Sequence, residues 1–323
     1  RLPESRMEAV YHVCISTVSG INYILANALM KFLIAIGSKE YSEPTLELGM
    51  RVAKAFKAIV TIVYVSDKIS AFSTSEVLMA QENLENWELD RQGVDVLEWA
   101  YEYLINNDYI TSSGEEESFT ADKLVQTDDD RCEVYLEGKH TQEVGLILRN
   151  GDIIQQLRDE VKRGEFDVTI IGASKKRRMI HDLIQYMDSS IFVVKNYQRE
   201  KHYKMLLAVN NAPNTKKAVK YGVRVTQAFD LYTTAVTISS TADFKEDYKE
   251  ASAWADKFLS RSGVEHETRL EHGKFTETMN AIAGDNHIIV MGSSTKSPLA
   301  KFFKGSKPLN VCEECNCPAL IVK

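Results

Sequence analysis

A few small residues near the end of the chain have the types and spacing to meet phosphate. Gly292 follows an apolar run, Thr295 stands three positions on, and Gly305-Ser306 follows after nine further residues, 296–304. A strand that ends in glycine and leads to small residues at a helix N-terminus presents free backbone N–H groups with no Cβ in the way. Lys296, Lys301 and Lys304 add positive charge there, although a solvated basic helix start explains them equally well. Asn210, after another apolar run, can hydrogen-bond a ligand but lacks the charge that would help hold Mg2+. Cys312, Cys315 and Cys317 form Cys-x-x-Cys-x-Cys. A closed zinc site needs a fourth ligand, and none is nearby in sequence, so buried thiols are expected. His272 and His287 lack a paired Ser or Asp at a motif spacing, so no nucleophile and base stand out.

The elements that must position these residues occur twice. Residues 32–36, a helix carrying Leu46, Met50, Ala53 and Phe56, and residues 59–65 read as strand, helix and strand. Ser42 is the expected helix N-cap, with Pro44 in the first turn. Such an order implies a right-handed parallel crossover. Further apolar runs at 167–171 and 191–194 suit buried parallel strands. The second half repeats this series at 205–209, 216–229, 235–239, 287–291 and 319–322, with Gly273 matching Gly151 and Gly292 matching Gly172. A repeat period of about 125 to 170 residues makes the chain a tandem of two α/β units. Between the first units of the first copy lie a long helix expected over 75–106, interrupted at Gly93, and an acidic stretch at 107–131. That stretch lacks the spacing of a calcium loop and reads as a solvated insertion. A hairpin is expected at 133–148, turning at Gly138-Lys139.

Gly292, Thr295 and Gly305-Ser306, with Cys317-Pro318 before the last strand, resemble the universal stress protein family. Its nucleotide-binding members carry Gly, two residues, Gly, nine residues and Gly-Ser or Gly-Thr. Thr295 stands at the second glycine. The resemblance implies two tandem, doubly wound, five-stranded parallel-sheet domains that pair through their last strands as a pseudo-dimer. It also implies that ATP or another adenine nucleotide, with or without Mg2+, lies beyond the carboxyl ends of the strands. Carried over residue by residue, the second-copy site is Asn210, Thr241, Gly292, Thr295, Gly305 and Ser306. Asn210 replaces the family's Asp, and Thr241 falls near the position whose backbone meets adenine. In the first copy, Gly37, Lys175 and Gln185-Tyr186 take the corresponding places, and the large side chains are expected to fill the pocket.

The expected division is an extension over 1–29, a first domain over 30–198 with the insertion at 107–131, and a second over 199–323. The run 9–30 has no Asp, Glu, Lys or Arg, but polar residues dilute it. A helix lying on the protein, or residues foreign to the native product, is expected there rather than a membrane anchor. The chain has 323 residues, 44% hydrophobic and 26% charged, with five cysteines and a net charge of -7. That composition fits a reducing cytoplasm and argues against nucleic acid as a partner. The expectation is a ligand-gated interaction protein with an unknown protein partner, able to form a homodimer of chains, with at most slow ATP hydrolysis. The alternative is a scaffold that works through protein contacts alone. An adenylating enzyme is disfavoured, because the loops after the first strands, Gly37-Ser38-Lys39-Glu40 and Asn210-Asn211-Ala212-Pro213, lack the Ser-Gly-Gly-x-Asp-Ser pattern.

Overall fold

The computed structural model describes residues 29–66, 93–111, 119, 123–128, 130–140, 143–173, 177–293 and 307–323. In the first half the elements are β1 Lys31–Ile36, α1 Lys39–Phe56, β2 Ile59–Ser66, α2 Val94–Asn106, β3 Val125–Asp128, β4 Arg131–Glu137, β5 Glu143–Asn150, α3 Ile153–Gly164, β6 Val168–Gly172, α4 Arg177–Tyr186 and β7 Ser190–Val194. The second half follows with β8 Lys204–Ala208, α5 Thr215–Phe229, β9 Thr233–Ser239, α6 Glu246–Arg261, β10 His266–His272, α7 Phe275–Ala283, β11 His287–Gly292, α8 Lys307–Glu314 and β12 Ala319–Val322.

The twelve strands among the described residues form one sheet in the order β10-β9-β8-β11-β12-β7-β6-β1-β2-β5-β4-β3. The five parallel strands β5-β2-β1-β6-β7 and the five parallel strands β10-β9-β8-β11-β12 have the same doubly wound order. The halves meet where β12 runs antiparallel to β7, with Ala319 opposite Val193 and Ile321 opposite Ile191. This is the expected pseudo-dimer, and it leaves neither of these strands as an open edge. Side chains alternate across the sheet. Phe32, Ile34 and Ile36 join the core under α1, α2, α5 and α6, while Leu33 joins the core under α3, α4, α7 and α8.

The pseudo-twofold is visible in single residues. Arg51 lies over the Phe229 ring at 4.4 Å, and its repeat equivalent Arg224 lies over Phe56 at 5.3 Å. Lys195 Nζ donates to Glu313 O at the end of α8 (2.9 Å), while its equivalent Lys323 donates to Ile184 O at the end of α4 (2.7 Å). Each half thus places a cation on a helix C-terminus of the other, where the macrodipole favours it.

Several expectations need correction. The stretch 107–131 is not simply a solvated loop. Tyr109 and Ile110 are buried, β3 pairs with β4, and Arg131 is 4% exposed. The five parallel strands expected in the first half are present, and among the described residues β3 and β4 add two antiparallel strands past β5. The hairpin itself falls where expected, with Tyr135 opposite Gly145. Ser38, not Ser42, is the N-cap of α1, and Pro44 lies inside the helix. The Ser42 hydroxyl instead accepts from Gly37 N (2.7 Å), tying the strand end to the first helical turn. Of the long helix expected over 75–106, α2 begins after Gly93, whose φ of 105° is left-handed. The rest of it lies outside the described residues.

Candidate functional site

The carboxyl ends of the second half's parallel strands meet the N-terminus of α5. Asn210 lies just past β8. Its Oδ1 accepts from Ala212 N (2.9 Å) and from Thr215 Oγ1 (2.5 Å), which closes an Asx turn and starts the helix. Gly292 ends β11 beside the same turn. A Cβ there would lie 2.9 Å from Asn214 C and 3.0 Å from Thr215 N. Glycine is needed because this chain's own backbone approaches so closely. Ser293 N then donates to Val322 O (2.7 Å), and Asn214 Nδ2 donates to Ser293 Oγ (2.8 Å).

The structure thus brings Asn210 and Gly292 to one place, with Thr215 between them. Thr241 is exposed beyond the end of β9. Its N–H donates to Ser239 Oγ (3.2 Å) and its hydroxyl to Asp243 O (3.1 Å). Among the described contacts, none joins Thr241 to Asn210 or Gly292. Thr295, Gly305 and Ser306, with Lys296, Lys301 and Lys304, lie outside the described residues.

A cavity of about 500 Å³ opens beside this turn. One wall is the segment 210–216. The other is a face of α6 carrying Asp247, Glu250, Ala251 and Trp254. These are positions i, i+3, i+4 and i+7 of one helix, so they share a side. Sequence reasoning missed this helix. Its apolar stripe, Ala251, Trp254, Ala255, Phe258 and Leu259, was present and packs on the core, but the residues that line the cavity are half polar and carry no signal of a site.

The first half departs further than expected. Gly172 abuts α1, since a Cβ would lie 2.8 Å from Thr45 Oγ1, and Ala173 N donates to Val194 O (2.8 Å) as Ser293 does to Val322. But α4 starts at Arg177, whereas α8 starts at Lys307. The chain from Gly172 to β7 at Ser190 is also shorter than that from Gly292 to β12 at Ala319. Gln185 and Tyr186 end α4 and do not occupy the place of Gly305-Ser306.

A buried ionic cluster was also missed. Glu160, 2% exposed, accepts from Arg131 Nε and Nη2 and from Arg149 Nη1, each at 3.1 Å. Arg149 Nε donates to Gln156 Oε1 (2.6 Å), and Gln156 Nε2 donates to Asp130 (2.7 Å). Burial is the largest influence on Arg131 and opposes its charge, but the hydrogen bonds and charge of Glu160, with hydrogen bonds from Glu133 and Tyr135, together raise the guanidinium pKa. The cluster fastens β4, β5 and α3 together. Its partners are distant in sequence, so no local signal could have revealed it.

Cys312, Cys315 and Cys317 are free and buried. Burial pushes the Cys312 and Cys315 thiols up to about 12, so they are held as thiols. No group of three metal-binding side chains occurs among the described residues.

Sheet order, crossovers and the site at the strand ends define a tandem α/β protein of doubly wound domains. Residues 202–323 match the model of the Universal stress protein family. Over about nine tenths of its length the chain shares the fold of solved universal stress proteins. A universal stress protein from Archaeoglobus fulgidus DSM 4304 aligns with a TM-score of 0.58 and 13% identity, over 91% of this chain and 96% of its own. A Pseudomonas aeruginosa UCBPP-PA14 protein assigned to the same class aligns with a TM-score of 0.58 and 12% identity, over 92% and 94%. No curated protein matches the chain. No helix among the described residues is long and apolar enough to cross a membrane.

Proposed function

We propose that the second domain, 199–323, binds an adenine nucleotide, ATP or AMP, and that the chain acts as a ligand-gated interaction or signalling protein of the stress response. The observation that carries this reading is the meeting of Asn210 and Gly292 at the start of α5, beside an open cavity of about 500 Å³. Asn210 and Thr241 border the nucleoside, and Gly292, Thr295, Gly305 and Ser306 hold the phosphates. The free N–H groups of such a turn favour an anion. Asn210 brings no charge, so Mg2+ is held mainly by the phosphates. The first domain, 30–198, is a degenerate partner whose sheet continues that of the second. The bound state changes a surface for a protein partner, in the cytoplasm, with a dimer of chains as the larger assembly.

A second reading is a scaffold that binds no nucleotide. Two observations favour it. Gly292 already has a packing reason to be glycine, and the Asn210 oxygen is used within its own turn. Calorimetric titration of nucleotide-stripped protein with ATP and AMP, each with and without Mg2+, separates the two. Saturable binding near one per chain, weakened by Ser306→Glu, supports the nucleotide reading. No heat with any of these ligands leaves the scaffold.

A further inference from the structure

The cavity beside Asn210 has a chemical polarity of its own. Its α6 wall carries the carboxylates of Asp247 and Glu250, and the opposite wall carries Lys216 and Asn210. Both oxygens of Asp247 are engaged, one by Asn211 Nδ2 and the other by Tyr248 N. Glu250 is exposed at the mouth, and its carboxylate has no partner among the described residues. Trp254 lines the cavity, with Phe258 stacked on it at 5.3 Å and Lys216 Nζ 5.5 Å from its ring.

A pocket of this size suits a small ligand. Two carboxylates on one wall repel phosphate, so a nucleotide entering here must do so with its phosphates pointing away, toward Gly292. A carboxylate accepts hydrogen bonds, so the part of a ligand that faces Glu250 is favoured when it carries a donor. Adenine offers one in its exocyclic amino group.

We propose that this cavity is the base compartment of the site and that Glu250 is a specificity-determining residue, its carboxylate accepting from the exocyclic amino group of adenine. This rests on the nucleotide reading above and adds to it the wall that recognises the base. Asp247 acts as a positioning residue, since it holds the loop at Asn211 while Glu250 meets the ligand.

The test compares ATP with purine riboside triphosphate, which lacks the amino group, by titration of stripped protein. Wild type binds ATP more tightly by roughly tenfold, the scale of one hydrogen bond to a charged acceptor. Glu250→Ala, at an exposed helical position, brings the ratio close to one by weakening ATP alone. Glu250→Gln, which keeps an acceptor, retains part of the preference. ATP binding with the same preference in wild type and Glu250→Ala overturns the inference and leaves the nucleotide reading standing. Tighter binding of GTP than ATP, lost in Glu250→Ala, also overturns it, because the carboxylate then reads a guanine edge. Absence of binding by any triphosphate to wild type overturns the nucleotide reading, and this inference with it.

Discussion

Replacing Gly292 by alanine separates what the glycine does for the fold from what it does for a ligand. The glycine is not among those with positive φ, so alanine can adopt its backbone conformation. Contact is what opposes the change. The new Cβ would stand 2.9 Å from Asn214 C and 3.0 Å from Thr215 N, both backbone atoms. Ordinary contact begins at 3.4 Å, so the start of α5 must move by about half an ångström. That displacement loads the Thr215–Asn210 hydrogen bond and the Asn214–Ser293 bond, which share the same turn. Overpacking of this kind costs about 1–3 kcal/mol. For a domain of this size that corresponds to a fall in Tm of roughly 2–12 °C. The assay is thermal unfolding of nucleotide-stripped protein, followed by circular dichroism. Stripping matters, because bound ligand would stabilise wild type and mimic the effect. A stripped Gly292→Ala protein that melts with wild type would refute the reasoning. It would mean that the α5 turn yields freely and that only a ligand needs the glycine.

Glu160→Gln should be the most damaging conservative substitution in the first half, costing about 3–5 kcal/mol by urea unfolding, because it leaves two buried guanidinium groups short of charge. Joint replacement of Glu160, Arg131 and Arg149 by Leu, Met and Met should cost much less, and equal losses would contradict the account. His287 is buried, donates Nδ1–H to Ala283 O (2.7 Å), and has its pKa lowered by burial, with that hydrogen bond opposing the shift. A depressed folded pKa means that the unfolded chain takes up the proton first, so stability is kept above the unfolded pKa of about 6.5 and lost as pH falls below it. By pH 5.5 the loss reaches at most about 1.4 kcal/mol, and His287→Gln should flatten that slope, whatever it does to stability at pH 7. An unchanged slope in urea midpoints would show that the ring is already charged or solvated in the native state.

Much of the fold was legible because buried parallel strands have to be continuous apolar runs. β1, β6, β11 and β12 are such runs, and their order in two copies led to the sheet. β10, with the sequence His-Glu-Thr-Arg-Leu-Glu-His, is an edge strand with several solvent-facing side chains, so it has no run to detect. The pairing of β12 with β7 was expected from the resemblance and is present, whereas the extra strands β3 and β4 lay hidden in acidic sequence. Asp130 looked solvated because its partners, Arg149 and Gln156, are supplied only by folding. Of the site, Gly292 and Asn210 were found by their places at strand ends. The α6 wall was not, because a ligand-facing helix side is free to be polar. The first-copy register failed for a different reason. Counting forward from Gly172 assumed a connection of constant length, whereas counting back from β7 and β12 sets Gly305-Ser306 against the start of α4.

The central claim is that the second domain holds an adenine nucleotide, and its most direct test is the ligand content of the purified protein. The protein is denatured, the supernatant is separated by anion exchange, and Gly305→Lys is treated in parallel. The account predicts adenylate near one per chain in wild type and its loss in the variant. Adenylate near two per chain would contradict the assignment of the first half as degenerate. No adenylate, together with no thermal shift on adding Mg2+ and ATP, would contradict the nucleotide reading itself and leave a scaffold built on the same fold.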